Sequence, residues 1–157
     1  MTAAARRKPG LSVALALASA LTAGLAGSAR SGPASPGLVA RGERLFNGAE
    51  PLAGTLSGHS APLPVAATRC VQCHSGPGTP LPATADFAPP LNRSQLREAR
   101  PRRGGPAFAY DPSSFCRTLR TGIDPAHIVL PRAMPRFDAD DTQCAALWDY
   151  LTQESTE

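Results

Sequence analysis

The sequence predicts a small all-α domain of three to five helices joined by long loops. Apolar residues recur at helical spacing in three segments, one near residues 38–47, one after Asp111 and one after Asp140. No segment shows the period-two alternation of a half-buried strand over a useful length. Seventeen prolines and fourteen glycines are typical of long loops between short helices.

The first 29 residues are typical of a secretory signal peptide. A basic stretch at 6–8 precedes an almost uninterrupted apolar run from Leu11 to Ala26, and small residues follow it. The run is short and rich in Gly and Ala for a stable membrane span, so cleavage is favoured over an uncleaved anchor. We therefore expect a periplasmic protein, associated with the membrane only if this segment stays uncleaved.

The mature chain should contain one domain. Residues 30–37 are expected to be a flexible lead-in, 38–153 the domain and 154–157 a tail. The first helix is predicted over 38–47, with Gly48 at its C-terminal stop. Its apolar stripe consists of Leu38, Gly42, Leu45 and Phe46.

The run Cys70-Val71-Gln72-Cys73-His74 is the attachment signature of c-type haem. On a helix, residues three and four apart point off one face. Two thiols can then bond to the vinyl groups of one porphyrin while His74 ligates its iron. The alternatives are a thioredoxin-like dithiol or a zinc site. A dithiol site needs a preceding strand in a βαβ pattern, whereas residues 61–67 are predicted to be loop. One haem c is therefore the favoured cofactor.

Two further helices are predicted beyond the motif. Asp111 followed by Pro112 marks one start and Gly122 its end, and Asp140 opens the last helix with a capping box. Each helix carries one extra cysteine on its apolar face, and an oxidising compartment favours a disulfide between them. The alternative is a pair of small buried thiols. The two cysteines are Cys116 and Cys144.

Three alternatives exist for the second axial position of the iron: Met134, His127 or no protein ligand. Met134 is the one methionine of the mature chain, and Pro131 and Pro135 stiffen its loop against helix formation. A thioether held in this way suits a Met/His cytochrome, although a loop methionine also serves as a gap-filler. His127 is the competing ligand, and an open position is the third option. His59 is expected to be solvated.

These elements together resemble class I c-type cytochromes in order and content, over essentially the whole mature chain. The resemblance rests on Gly42 and Phe46 in the first helix, the motif at 70–74, the Pro-Leu element at 89–91, the Met-Pro-aromatic loop at 134–137 and the last helix at 146–151. It implies a small cytochrome c-like fold around one covalently bound haem. The segment 48–69 is longer than in compact members of that family, and it could cover a haem edge or bind a partner.

The resemblance also implies specific contacts. The first and last helices should cross, with Gly42 and Phe46 against Leu147 and Tyr150. The carbonyl of Pro89 should accept a hydrogen bond from the imidazole of His74. Leu91 and Phe137 are expected beside the haem. Arg103 and Tyr110 are candidate donors to a propionate, although a solvated basic loop explains that segment equally well.

The net charge gives no support for nucleic-acid binding. The chain carries +4, but the signal segment holds three of the sixteen basic residues, which leaves thirteen against twelve acidic ones. Five arginines crowd residues 93–103. They could select an acidic partner protein, although a solvated basic face is the commoner explanation.

The predicted function is one-electron transfer, by a free carrier or as the haem subunit of an oxidoreductase complex, rather than catalysis on a substrate. Expected partners are a periplasmic dehydrogenase on one side and an oxidase or reductase on the other. The alternatives are a haem-based gas sensor or peroxidase with an open distal site, and a dithiol oxidoreductase that uses Cys70 and Cys73.

Overall fold

Helix α1 crosses helix α4 at the centre of the fold. The computed structural model describes residues 35–77 and 88–154. α1 is Pro36–Asn47 and α4 is Asp141–Thr152. A Cβ on Gly42 would overlap the carbonyl oxygen of Ala146 and lie 2.6 Å from the Cβ of Tyr150. Residue 42 therefore has to be glycine for the two backbones to approach so closely.

The aromatic contact predicted at this crossing is confirmed. The rings of Phe46 and Tyr150 have centroids 5.6 Å apart, and Phe46 is fully buried. Leu147 is buried in the same apolar cluster. α1 ends at Asn47, and the next residue, Gly48, caps the helix in a left-handed conformation with a φ of 80°.

Helix α3 is fixed to α4 by a covalent bond and by aromatic packing. α3 is Pro112–Thr121, and the short helix α2 (Arg93–Arg97) precedes it in the chain. Cys116 and Cys144 form a disulfide with their Cα atoms 5.4 Å apart, which confirms the predicted pair. Phe115 and Trp148 pack with ring centroids 5.6 Å apart. Both predicted capping sites are present.

Helix α2 lies between the motif and α3, where the sequence predicted no helix. It has only five residues, and a single one, Leu96, is buried. The side chain of Asn92 caps it by accepting a hydrogen bond from the backbone N–H of Gln95 at 2.9 Å. A helix this short has no apolar periodicity for a sequence pattern to reveal.

The prediction of an all-α fold needs correction, because the described part of the chain contains four strands and is mostly helical rather than purely so. β1 (Gly54–Thr55) pairs antiparallel with β4 (Arg136–Phe137), and β2 (Arg100–Pro101) pairs antiparallel with β3 (Ala107–Phe108). Each strand has two residues, too few to produce an alternating pattern.

The predicted boundaries shift at the N-terminus. α1 begins at Pro36, so the last two residues of the predicted lead-in are helical, with the proline at the first helical position. The predicted signal segment 1–29, residues 30–34 and residues 155–157 of the tail lie outside the described residues. All described residues belong to one unit, Gly32–Glu157. Among the helices described here, none is long and apolar enough to cross a membrane.

Candidate functional site

The motif forms a tight turn rather than a regular helix. Cys70–Gln72 is a 3₁₀ helix, and the backbone N–H of His74 donates to the carbonyl of Cys70 at 2.9 Å. The turn is attached to the end of α1, because the Nε of Arg69 donates to the carbonyl of Asn47 at 3.0 Å. That carbonyl belongs to the last turn of the helix, which leaves such groups without helical partners.

Both cysteines of the motif are free thiols. Cys70 and Cys73 are half-buried, and Cys70 packs against the apolar core. Burial raises the pKa of the Cys70 thiol to about 12. A dithiol oxidoreductase needs an attacking cysteine with a lowered pKa, so this environment disfavours thiol–disulfide exchange as the function.

The imidazole of His74 is buried and held by one hydrogen bond. Its Nδ1 lies 2.7 Å from the carbonyl oxygen of Pro89, as predicted. A carbonyl only accepts, so Nδ1 carries the proton and Nε2 presents a lone pair. Burial lowers the pKa of His74, and the bond to Pro89 offsets this only in part. The ring is therefore neutral at neutral pH, the form that binds a metal.

The segment around Pro89 is tied to the motif by the backbone as well. The N–H of Leu91 donates to the carbonyl of Ser75 at 2.7 Å, and the Leu91 side chain packs against the core. Residues 88–91 thus run beside residues 74–77, although residues 78–87 between them lie outside the described part. This pairing places the Pro89 carbonyl at His74.

Met134 lies in a non-helical loop, half-buried against the core. Its N–H donates to the carbonyl of Pro131 at 3.0 Å, which forms a turn. Phe137, three residues later, is buried in β4. His127, the competing ligand, is exposed and has a φ of 61° in the neighbouring loop. The burial of the two side chains therefore favours Met134 over His127 as a ligand that faces the core.

Arg103 is engaged by a partner that the sequence analysis did not identify. Its guanidinium donates to the carboxylate of Asp124, whose side chain is fully buried. The carboxylate also accepts from the N–H groups of Ala126 and Ile128, at 3.0 and 2.9 Å. The Asp-Pro pair at 124–125 is a turn signature that could have signalled this role.

The aromatic ring of Tyr110, the other candidate propionate donor, packs against Arg102. The Arg102 guanidinium lies 5.3 Å from the centroid of the Tyr110 ring and 4.5 Å from that of Phe108. Burial raises the pKa of Tyr110, so its hydroxyl stays protonated and can donate. Arg103 and Tyr110 as propionate donors remain predictions.

The donor groups on these residues are compatible with a haem. One turn supplies two free thiols and one neutral imidazole with a single free nitrogen, which is what covalent attachment and one axial bond require. The described ranges contain no cluster of three or more His, Cys, Asp or Glu placed to hold a metal ion, as a structural zinc site would need. Two valines of the described residues are exposed: Val65 is 52% exposed and Val129 is 64% exposed.

Comparison of the chain with protein-family models, with curated proteins and with solved structures finds no match. The function therefore has to be inferred from the residues and contacts described above.

Proposed function

We propose that this protein is a periplasmic one-electron carrier with a single haem c. Cys70 and Cys73 would form the thioether bonds, and His74 and Met134 would be the axial ligands. The observation that carries the proposal is the hydrogen bond from the buried, neutral His74 to Pro89, beside two free cysteines at the attachment spacing. The haem, when bound, supplies an iron that alternates between its ferric and ferrous states.

The contact between His74 and Pro89 has a specific role in this proposal. The carbonyl of Pro89 holds the imidazole in one tautomer and one orientation, with Nε2 unprotonated. It also makes Nε2 more basic, which strengthens a bond to iron. A ligand fixed in this way moves little when the iron changes charge, and small reorganisation favours fast electron transfer.

Met134 would tune the potential. A thioether favours the ferrous state, so a Met/His pair gives a higher potential than two imidazoles. Pro131 and Pro135 restrict the backbone on both sides of Met134, and the 131–134 turn fixes it further. The loop therefore presents the sulfur at small entropic cost.

Localisation and partners follow from the chemistry of the chain. The disulfide between Cys116 and Cys144 favours an oxidising compartment, in agreement with the predicted signal segment. The partners would be a periplasmic dehydrogenase and an oxidase or reductase, which dock weakly and transiently. Arg93 and Arg97 are exposed, and they are the members of the arginine-rich segment best placed to meet an acidic surface.

Carbon monoxide binding to the reduced protein tests the axial assignment. The wild-type protein should bind it poorly because Met134 occupies the position, whereas Met134→Ala should bind it readily. His127→Ala is the matched control and should behave as the wild type does. A Met134→Ala protein with an unchanged spectrum and no gain in binding would show that the ligand is wrong. Ready binding by the wild type would instead favour the gas sensor or peroxidase.

A further inference from the structure

Arg136 reaches back across the loop that carries Met134. Its Nη1 donates to the carbonyl of Met134 at 2.6 Å, and its Nη2 donates to the carbonyl of Leu130 at 3.1 Å. These two carbonyls lie at the two ends of the segment 130–134, so one guanidinium joins both ends of the loop that carries Met134. We infer that Arg136 is a positioning residue that holds Met134 on the iron. The inference rests on the proposed function, in which Met134 is an axial ligand.

The backbone of Arg136 is itself immobilised. It belongs to β4 and pairs with Thr55 of β1, and the N–H of Asp138 donates to the carbonyl of Ala53 at 2.9 Å. The guanidinium therefore extends from a fixed point. This pairing also gives the long 48–69 segment a function, because β1 supports the residue that braces the loop.

The guanidinium of Arg136 also lies against Gly122, the residue that caps the C-terminal end of α3. A Cβ on Gly122 would overlap the Cζ and Nε of Arg136, so the absence of a side chain at 122 makes room for the guanidinium. The N–H of Leu130 also donates to the carbonyl of Gly122 at 2.7 Å. Arg136 thus connects the Met134 loop to a helix that the disulfide fixes to α4.

The two hydrogen bonds from Arg136, which together brace the loop, depend on the shape of the guanidinium and not only on its positive charge. A planar guanidinium donates along several fixed directions and can reach two carbonyls at once, whereas a lysine ammonium is a point charge on a flexible stem. Arg132 lies two residues before Met134 and is exposed. Its removal changes the charge near the loop by the same amount without removing the brace, so Arg132→Gln is a matched control.

The brace should set the fraction of molecules in which Met134 is off the iron. An added ligand binds only that open fraction, so its apparent affinity increases in proportion to it. Loss of one hydrogen bond should increase the open fraction severalfold, and loss of both should increase it about tenfold. Imidazole is a suitable probe because it displaces a thioether from ferric haem.

The experiment is an imidazole titration of four ferric proteins, wild type, Arg136→Gln, Arg136→Lys and Arg132→Gln, followed by loss of the far-red Met-to-iron band. We expect imidazole to bind about tenfold more tightly to Arg136→Gln, and more tightly to Arg136→Lys than to the wild type. Arg132→Gln should match the wild type. Equal affinities in all four proteins would overturn the inference, and so would an Arg136→Lys protein that matches the wild type while Arg132→Gln does not.

A second pair of variants tests the same contact from α3. Gly122→Ala places a methyl group where the guanidinium lies, while Gly104→Ala has a similar left-handed φ, 75°, with nothing near the added methyl. Gly122→Ala should tighten imidazole binding, and Gly104→Ala should not. A haem-containing wild type without the far-red band would refute Met134 ligation itself, and the inference with it. A wild type with the band and unresponsive variants would refute the inference alone.

Discussion

Two regions of this molecule reach stability in different ways. The helical frame, α1, α3 and α4, contributes the most deeply buried large apolar side chains: Leu45, Phe46, Leu147 and Leu151 are each at most 1% exposed. The loop half, residues 48–77, 88–110 and 123–139, leaves Cys70, Leu91, Tyr110 and Met134 only partly buried against that frame. The frame therefore forms the most deeply buried part of the core, and the loop half contributes most of the partly buried side chains that pack against it.

The loop half is held in part by polar contacts to backbone groups, both its own and those of α1. Arginine side chains donate to carbonyl groups at several points, where short strands and turns leave those groups without ladder partners. Arg69 donates to Asn47, Arg102 to Phe108 and Arg136 to Leu130. Arginine suits this role because its fork reaches more than one acceptor, and Lys8 is the only lysine in the sequence.

The strongest destabilisation should come from a substitution in the frame, at the crossing of α1 and α4. Gly42→Ala should lower the free energy of unfolding by about 4 kcal/mol, because the methyl group meets the backbone of α4 and not a movable side chain. Gly37→Ala in the same helix is the control, since its Cβ would make only an ordinary contact at 3.9 Å. It should stabilise the protein by up to about 1 kcal/mol. Urea unfolding measures both, and equal effects would contradict the close approach.

The next effect concerns the covalent link between α3 and α4. Replacing both Cys116 and Cys144 by Ala should cost about 3 kcal/mol, because the bond closes a loop of 28 residues in the unfolded chain. The optical spectrum should not change, since these cysteines are separate from the attachment motif. A loss of haem absorption in this variant would mean that the disulfide also supports the loop half.

The smallest effect is at the start of α3. Asp111 caps the helix, and Asp111→Ala should cost about 1 kcal/mol, while Asp111→Asn should retain most of the capping.

The backbone N–H of Ser114 lowers the pKa of Asp111 below its ordinary value of 3.8. The charge of Asp111 therefore contributes stability above pH 3.8, and this contribution is lost as the pH falls through the lowered pKa. Urea unfolding of the wild type and Asp111→Asn across pH 3 to 6 should show their difference shrink at the acidic end; a constant difference would contradict it.

The same division explains what the sequence could predict. The frame was predictable because its signals are local: Gly48, Asp111, Gly122 and Asp140 mark helix ends through the conformations that they favour. The loop half was less predictable because its contacts join distant residues. The inward turn of Arg102 and the burial of Asp124 depend on tertiary packing, and two-residue strands carry no period.

Within the candidate site, the motif at 70–74 could be predicted from the sequence, whereas the contacts that support it could be predicted only in part. The spacing of Cys70, Cys73 and His74 is a local signal, and the Pro89 partner followed from resemblance to a family rather than from pattern. Arg136 gave no sequence signal, because nothing in a stretch of Met, Pro, Arg and Phe shows that the guanidinium folds back on the loop.

The optical spectrum shows directly whether the protein holds a haem c. It should be recorded on ferric and dithionite-reduced protein, exported in a host that matures c-type haem, and again after denaturation and extraction. We expect sharp reduced bands of a c-type haem, a weak far-red band in the ferric form and absorption that stays with the denatured chain. A folded but colourless protein would contradict the proposed haem c and would leave Cys70 and Cys73 as a simple thiol pair.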